Sequence, residues 1–212
     1  MNLSSRPRIR ALLSLAARLA IYAFATGMAL ELVVARVRAG NVEALVSEDG
    51  AVELAQLLLV FSAAGVLLSV IVRGVRDQEL RILMGMACLF AGIRELDGFF
   101  GAELGPNAYK LFAIPVVLAG VGVGWRGRAA LLEQLIDFAA TPAAALLFAG
   151  ALIVLVHAQV LGQKELWQAL VPGPGARTVK KTVEECSELT GYLVILFAAI
   201  EIEIHRRHRT PG

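Results

Sequence analysis

Long apolar runs constrain this chain more than any other feature. AVELAQLLLVFSAAGVLLSVIV, Ala51 to Val72, carries a single charge, Glu53. A bilayer's hydrocarbon core of about 30 Å takes roughly 20 apolar residues of helix to cross. Within it every backbone polar group must be satisfied inside the segment, which leaves helices as the form for such runs. Six spans follow, at about 19–35, 51–72, 82–97, 108–125, 142–161 and 183–204. The expected fold is all-α, a polytopic membrane helical bundle of six transmembrane helices in a single domain. Composition agrees: 58% hydrophobic and 18% charged residues, with a mean hydropathy of +0.70, lie well outside the range of soluble domains. The net charge of +2 does not indicate nucleic acid, because the basic residues flank apolar runs instead of forming a patch.

The third and fourth runs are short and are expected to extend into RELDGFF and NAYK. Thr141 can cap the fifth helix, and Pro142 suits its first turn, where no amide hydrogen is needed. The preceding AALLEQLIDF reads as a separate interfacial helix, since an unbroken helix from Ala129 to Leu161 would exceed about 45 Å. RPRIR before the first run, with AFA at Ala23 to Ala25, has the outline of a signal peptide. Arg18 interrupts that run and the apolar character continues past AFA, so the segment is kept as a span.

Placing both termini in the cytoplasm puts 12 of the 20 Lys and Arg residues on the inner side, the arrangement that the positive-inside rule favours. The expected location is therefore a bacterial cytoplasmic membrane, with PGPGAR at Pro172 to Arg177 facing outward. Trp125 and Trp167 fall at interfaces, where amphipathic rings settle. Cys88 and Cys186 lie at different depths, and no disulfide is expected.

On this topology the polar residues converge on the outer leaflet. Glu31 comes from the first span, Asp49, Glu53 and Gln56 from the second, Arg94, Glu95 and Asp97 from the third, and Lys110 from the fourth. His157 and Gln159 come from the fifth, and Glu184, Glu185 and Glu188 from the sixth. The inner halves are nearly bare, apart from terminal residues such as Glu201 and Glu203 beside the basic tail. Asp49, Glu53 and Gln56 share one helix face at i, i+4 and i+7. Glu188 would lie about 9 Å below the start of its helix, and an ionised acid at mid-membrane costs roughly 2.5–3.5 kcal/mol. It needs a partner. Taken singly, each residue has a plainer reading: a solvated interface carboxylate, an acid at a helix N-terminus, an Arg94–Asp97 ion pair, a core histidine. None of these accounts for all six helices converging on one layer.

Carboxylates with one imidazole and no cysteine cluster match a divalent metal such as Zn, Fe or Mn. Glu185, Glu188 and His157 are the expected ligands, with Glu53, Glu95, Arg94 and Asp97 as the catalytic group. The Glu185-x-x-Glu188 spacing is that of di-metal helical bundles, although their Glu-x-x-His element is absent. His205 and His208 belong to the tail, which excludes a three-histidine site in this layer.

SEDGAVELAQLLLVF, Ser47 to Phe61, and IRELDGFFG, Ile93 to Gly101, resemble the EDG-x-x-E and RELD signatures of a family of uncharacterised bacterial multi-spanning membrane proteins. TVEECSELTGY resembles their closing EE-x-x-E segment. The resemblance implies membrane placement and singles out Glu48, Asp49, Glu53, Arg94, Glu95, Asp97, Glu185 and Glu188, without an activity. The paired glutamates are also similar to the EE-x-x-x-R pattern of membrane CAAX proteases. Leu189 stands at the arginine position and no paired histidine motifs follow, so that family is rejected. The expected function is a metal-dependent membrane enzyme acting on a lipid or isoprenoid, within the bilayer and without nucleic acid. The alternatives are a proton- or ion-coupled transporter, or a structural or partner-binding membrane protein. A transport path must reach both faces, whereas the polar residues thin out below the outer third.

Overall fold

The structure is a computed structural model and describes residues 6–40, 42, 50–74, 78–171, 173 and 175–209. Glu48 and Asp49 lie outside the described residues. The chain divides into two compact units, Met1–Asn41 and Val42–Gly212. Helix is the regular structure throughout, with no strand among the described residues.

The first unit is built on one helix, α1 (Arg6–Arg38), longer at its start than the expected span. The helix runs on through Arg18, a good helix former, whose Nη1 donates to Ser14 Oγ at 2.7 Å, one turn back. Thr26 Oγ1 likewise donates to the Tyr22 carbonyl at 2.9 Å.

The second unit contains α2 (Ala51–Val72), α3 (Glu79–Glu95), α4 (Asp97–Leu104), α5 (Lys110–Ala139), α6 (Pro142–Leu161), α7 (Lys164–Leu170) and α8 (Gly175–Arg209). Four described helices are long and apolar enough to cross a membrane: α1 over Ala11–Arg38, and α2, α5 and α6. The expected third span stops earlier than RELDGFF would take it, since α3 ends at Glu95 and a new short helix starts at Asp97. AALLEQLIDF is not a separate helix. It continues α5 without interruption to Ala139, and the break comes only at Thr141. There Thr141 Oγ1 accepts from the Ala144 amide at 3.2 Å and Pro142 opens α6, as the capping residues required.

Helix α3 packs on α2 and α5, while α8 packs on α2 and α6. On α3 the buried positions Arg81, Gly85, Cys88 and Gly92 recur at helical spacing and form one stripe. A Cβ on Gly85 would come within 2.7 Å of Leu68, and one on Gly92 within 2.8 Å of Phe61, so the missing side chains set how closely α2 approaches. Helices α6 and α8 cross at a second glycine pair. A Cβ on Gly150 would lie 2.9 Å from the Gly191 carbonyl oxygen and 3.0 Å from the Ile195 nitrogen, the backbone approach that small residues permit between membrane helices. Where α2, α3, α6 and α8 meet, Val60, Ala63, Ala64, Leu67, Cys88 and Ile195 are among the buried core.

Helix α6 is not uniform. Its α-helical stretches Pro142–Leu152 and Ala158–Leu161 are joined by a π-helical turn, Ile153–His157. Such turns favour functional positions, and this one follows the Gly150 crossing directly.

Candidate functional site

Three facing stripes build a polar layer at one end of the core. Gln56 on α2, Glu95 on α3, and Glu185, Glu188 and Tyr192 on α8 occupy it; the α8 residues fall at i, i+3 and i+7, one helix face. Gln56 is 1% exposed. Its Nε2 donates to the Glu185 backbone oxygen at 3.0 Å and to Glu185 Oε2 at 2.9 Å, which ties α2 to α8. Tyr192 Oη donates to Glu95 Oε1 at 2.7 Å and ties α8 to α3. Gln159 Nε2 of α6 stands 3.5 Å from Glu188 Oε1, at the long limit of a hydrogen bond. Glu188 sits in the field of Glu95, Glu185, Glu184 and Arg94. Of these only Arg94 is of opposite charge; Glu95, Glu185 and Glu184 repel Glu188, so its favourable neighbours are Arg94 and, at the long limit, the Gln159 amide.

The other expected site residues divide around this layer. Glu53 is half-buried in the first turn of α2 and acts electrostatically on Glu185. Arg94 is exposed and makes no salt bridge to Asp97 among the described residues; Asp97 is exposed at the start of α4, beyond the break at Leu96. His157 is exposed on the π-helical turn, and no hydrogen bond or ion pair joins it to Glu185 or Glu188. Among the described residues no three His, Cys, Asp or Glu side chains converge in a way that would hold a metal. Glu184 turns to Lys180, at 2.8 Å on the same helix.

Tyr192 went unremarked in the sequence reading, although its place four residues after Glu188 puts it on the same face. The ion cluster at the opposite end was also missed. Arg81 is 4% exposed and donates to the Leu67 carbonyl at 3.1 Å, the Val66 carbonyl at 2.8 Å and Glu203 Oε2 at 2.7 Å. Glu203 Oε1 also receives Arg73 at 2.6 Å and Arg206 at 2.9 Å. Glu203, expected only as a terminal residue beside the basic tail, thus anchors a buried ion cluster at the end of the bundle opposite the carboxylate layer. Fourteen positions separate Arg81 from Glu95 on α3, about 21 Å of helix, and the core between them is apolar.

Beside the polar layer lies a cavity of about 520 Å³, walled by α2, α3, α5, α6 and α8. Leu83, Ala87, Val117, Gly120, Val154 and Ile195 are representative of its apolar lining. Among the described residues Arg94 is the one charged side chain on its wall, and Tyr192 is there as well. A volume of this size falls in the range of small-molecule pockets. The chemistry on offer is an apolar chamber for a hydrocarbon, ending at a guanidinium and a hydrogen-bonded Tyr192–Glu95 pair.

No protein-family model matches the chain, and no curated protein or solved structure matches it. Function therefore has to be read from the geometry of this site.

Proposed function

We propose that the protein is a multi-pass membrane protein that holds a lipid-like molecule inside its helical bundle, with the tail in the cavity and the head at the polar layer. The observation that carries this reading is the juxtaposition of the roughly 520 Å³ apolar chamber with Arg94 and the Tyr192–Glu95 pair at one end. Glu95 and Glu188 would then exchange protons with the bound head, a role for which positioned carboxylates are suited. That makes an enzyme acting on a lipid or isoprenoid the favoured class. In the six-span arrangement α3 and α8 join the four long apolar helices, both termini face the cytoplasm, and the polar layer lies towards the outer face of a bacterial cytoplasmic membrane. The spacing of about 21 Å between the Arg81 and Glu95 ends supports it, because it approaches the thickness of the hydrocarbon core.

A divalent metal on Glu185 and Glu188 is the second reading. Gln56 Oε1 favours it: this buried oxygen has no hydrogen-bond donor among the described residues, and a carbonyl oxygen beside a carboxylate is a hard-cation ligand. Transport fits less well, since the side chains between the two polar ends are apolar.

The test is extraction and mass analysis of protein purified in mild detergent. One equivalent of an amphiphile should be retained by the wild type and lost from Gly120→Leu. A Cβ at Gly120 would point towards Met86 and Leu83, at 3.7 and 3.9 Å, so the larger side chain fills the chamber without striking backbone. Amphiphile-free wild type, even after incubation with lipid extract, would sink the reading.

A further inference from the structure

The cavity is closed on one side by the α2–α3–α8 core, but three of its lining residues are also on the outer surface. Phe90 of α3 is 37% exposed, Val117 of α5 is 48% exposed and Leu155 of α6 is 64% exposed. All three are apolar, and in a membrane-spanning bundle such a surface meets lipid chains instead of water. Helices α5 and α6 face each other across this gap while packing mainly elsewhere, α5 on α3 and α6 on α8. Each wall also departs from regular α-helix at the gap. Pro115, beside the lining residues Val116 and Val117, leaves the Leu111 carbonyl without its usual amide donor. Opposite, Val154 and Leu155 belong to the π-helical turn.

Size and charge narrow what enters. At about 520 Å³ the chamber has the size of a site for one drug-sized ligand, which suits one hydrocarbon chain. At the polar end Arg94, a permanent cation, makes no hydrogen bond or salt bridge to a described residue, and among the described residues it is the only charge that lines the cavity. A guanidinium pairs best with a carboxylate or phosphate through two parallel hydrogen bonds.

We infer that the occupant is a single-chain amphiphile with a terminal oxyanion, which enters sideways from the bilayer between α5 and α6 and docks its head on Arg94. This rests on the lipid-holding function proposed above and adds the chain number, the head charge and the route. A fatty acid and a prenyl phosphate share the required chemistry.

The experiment uses full-length protein in phosphatidylcholine vesicles, loaded in parallel with a diazirine-tagged C16 fatty acid, a diazirine-tagged farnesyl phosphate, or a tagged two-chain phosphatidylglycerol. Photolabelling at lining residues of α3 and α5 should saturate with one or both single-chain probes, and the stronger of the two identifies the natural head. Arg94→Gln should weaken that probe at least about tenfold, the worth of one charge-assisted hydrogen bond. Val117→Trp and Leu155→Trp, which narrow the gap between α5 and α6, should slow loading severalfold. Equal labelling by the two-chain lipid overturns the single-chain assignment, unchanged affinity in Arg94→Gln overturns the head assignment, and unchanged loading in both tryptophan variants overturns the route. Absence of specific labelling by all three probes would instead remove the lipid-holding function itself.

Discussion

Tyr192 Oη donates to Glu95 Oε1 at 2.7 Å, joining α8 to α3 across 97 positions of sequence. The bond sits where the apolar cavity meets the carboxylates, and Tyr192 belongs to both. Removing the hydroxyl leaves Glu95 without this donor, whereas Glu95→Gln keeps an amide oxygen that the hydroxyl can still reach. Tyr192→Phe should therefore destabilise the protein by about 1–3 kcal/mol and Glu95→Gln by less. Unfolding midpoints in detergent measure both. The reverse order would mean that the hydroxyl is not Glu95's principal partner.

The α6–α8 crossing makes a second demand. A Cβ at Gly150 meets two backbone atoms of α8, which cannot rotate away, so Gly150→Ala must push the helices apart. A cost of about 1–3 kcal/mol is expected, as for other overpacked cores. Gly122→Ala is the control: nothing lies within 4 Å of its added carbon, and better helix propensity should leave stability equal or slightly raised. Thermal melting of the two variants checks the contrast, and equal melting would show that the crossing is not as tight as described.

At the opposite end, Glu203 holds Arg81 among buried groups and Arg73 at the surface. Glu203→Gln strands the Arg81 guanidinium and should cost about 3–5 kcal/mol, the toll of an uncompensated buried charge. Arg73 is 43% exposed, and Arg73→Ala should cost less than about 1 kcal/mol. A double substitution of Arg81 and Glu203 by methionine should recover much of the loss. Failure to recover would mean that the carbonyls of Val66 and Leu67, which Arg81 caps, matter more than the ion pair.

How far sequence reached can be judged on these residues. Apolar runs identified α2 and α6 to the residue, and for α6 capping and hydropathy coincide: Thr141 and Pro142 open it just where the apolar pattern begins. The end of α5 was misjudged, since AALLEQLIDF has interfacial composition, yet nothing in it stops a helix before Ala139. Hydropathy reports a solvent and says little about helix continuity. In the site, spacing brought Glu185 and Glu188 to one face, but it could not show that Gln56, and not a second acid, meets Glu185. Arg81 and Glu203 looked like ordinary end-of-helix charges because burial depends on neighbours distant in sequence.

The six-span topology predicts which ends share a side. Reporter fusions at Ala140 and Gly173 flank α6 and should report opposite faces, with Ala140 cytoplasmic. Fusions at both termini should agree with Ala140. A C-terminal fusion reporting the outer face would remove either α3 or α8 as a span and would place the Arg81–Glu203 cluster away from the cytoplasmic boundary.

The metal reading and the hydrogen-bonded reading of the carboxylate layer diverge in one measurement. Gln56 Nε2 donates to Glu185 Oε2 and Gln159 Nε2 approaches Glu188 Oε1, so a cation would compete with both amides for these carboxylates. Turning Gln56 would present its buried, undonated Oε1 as a ligand, whereas exposed His157 would need the π-helical turn to move before its ring could join. The Gln56 and Gln159 amides and the nearby Arg94 guanidinium offer these carboxylates partners without a metal. We therefore expect elemental analysis of detergent-purified protein to find less than one equivalent of Zn, Fe or Mn, with Glu188→Gln and His157→Ala leaving that content unchanged. Stoichiometric metal that falls in Glu188→Gln but persists in His157→Ala would establish an oxygen-only site built on Gln56. Loss in both variants would establish the site with imidazole that the sequence led us to expect.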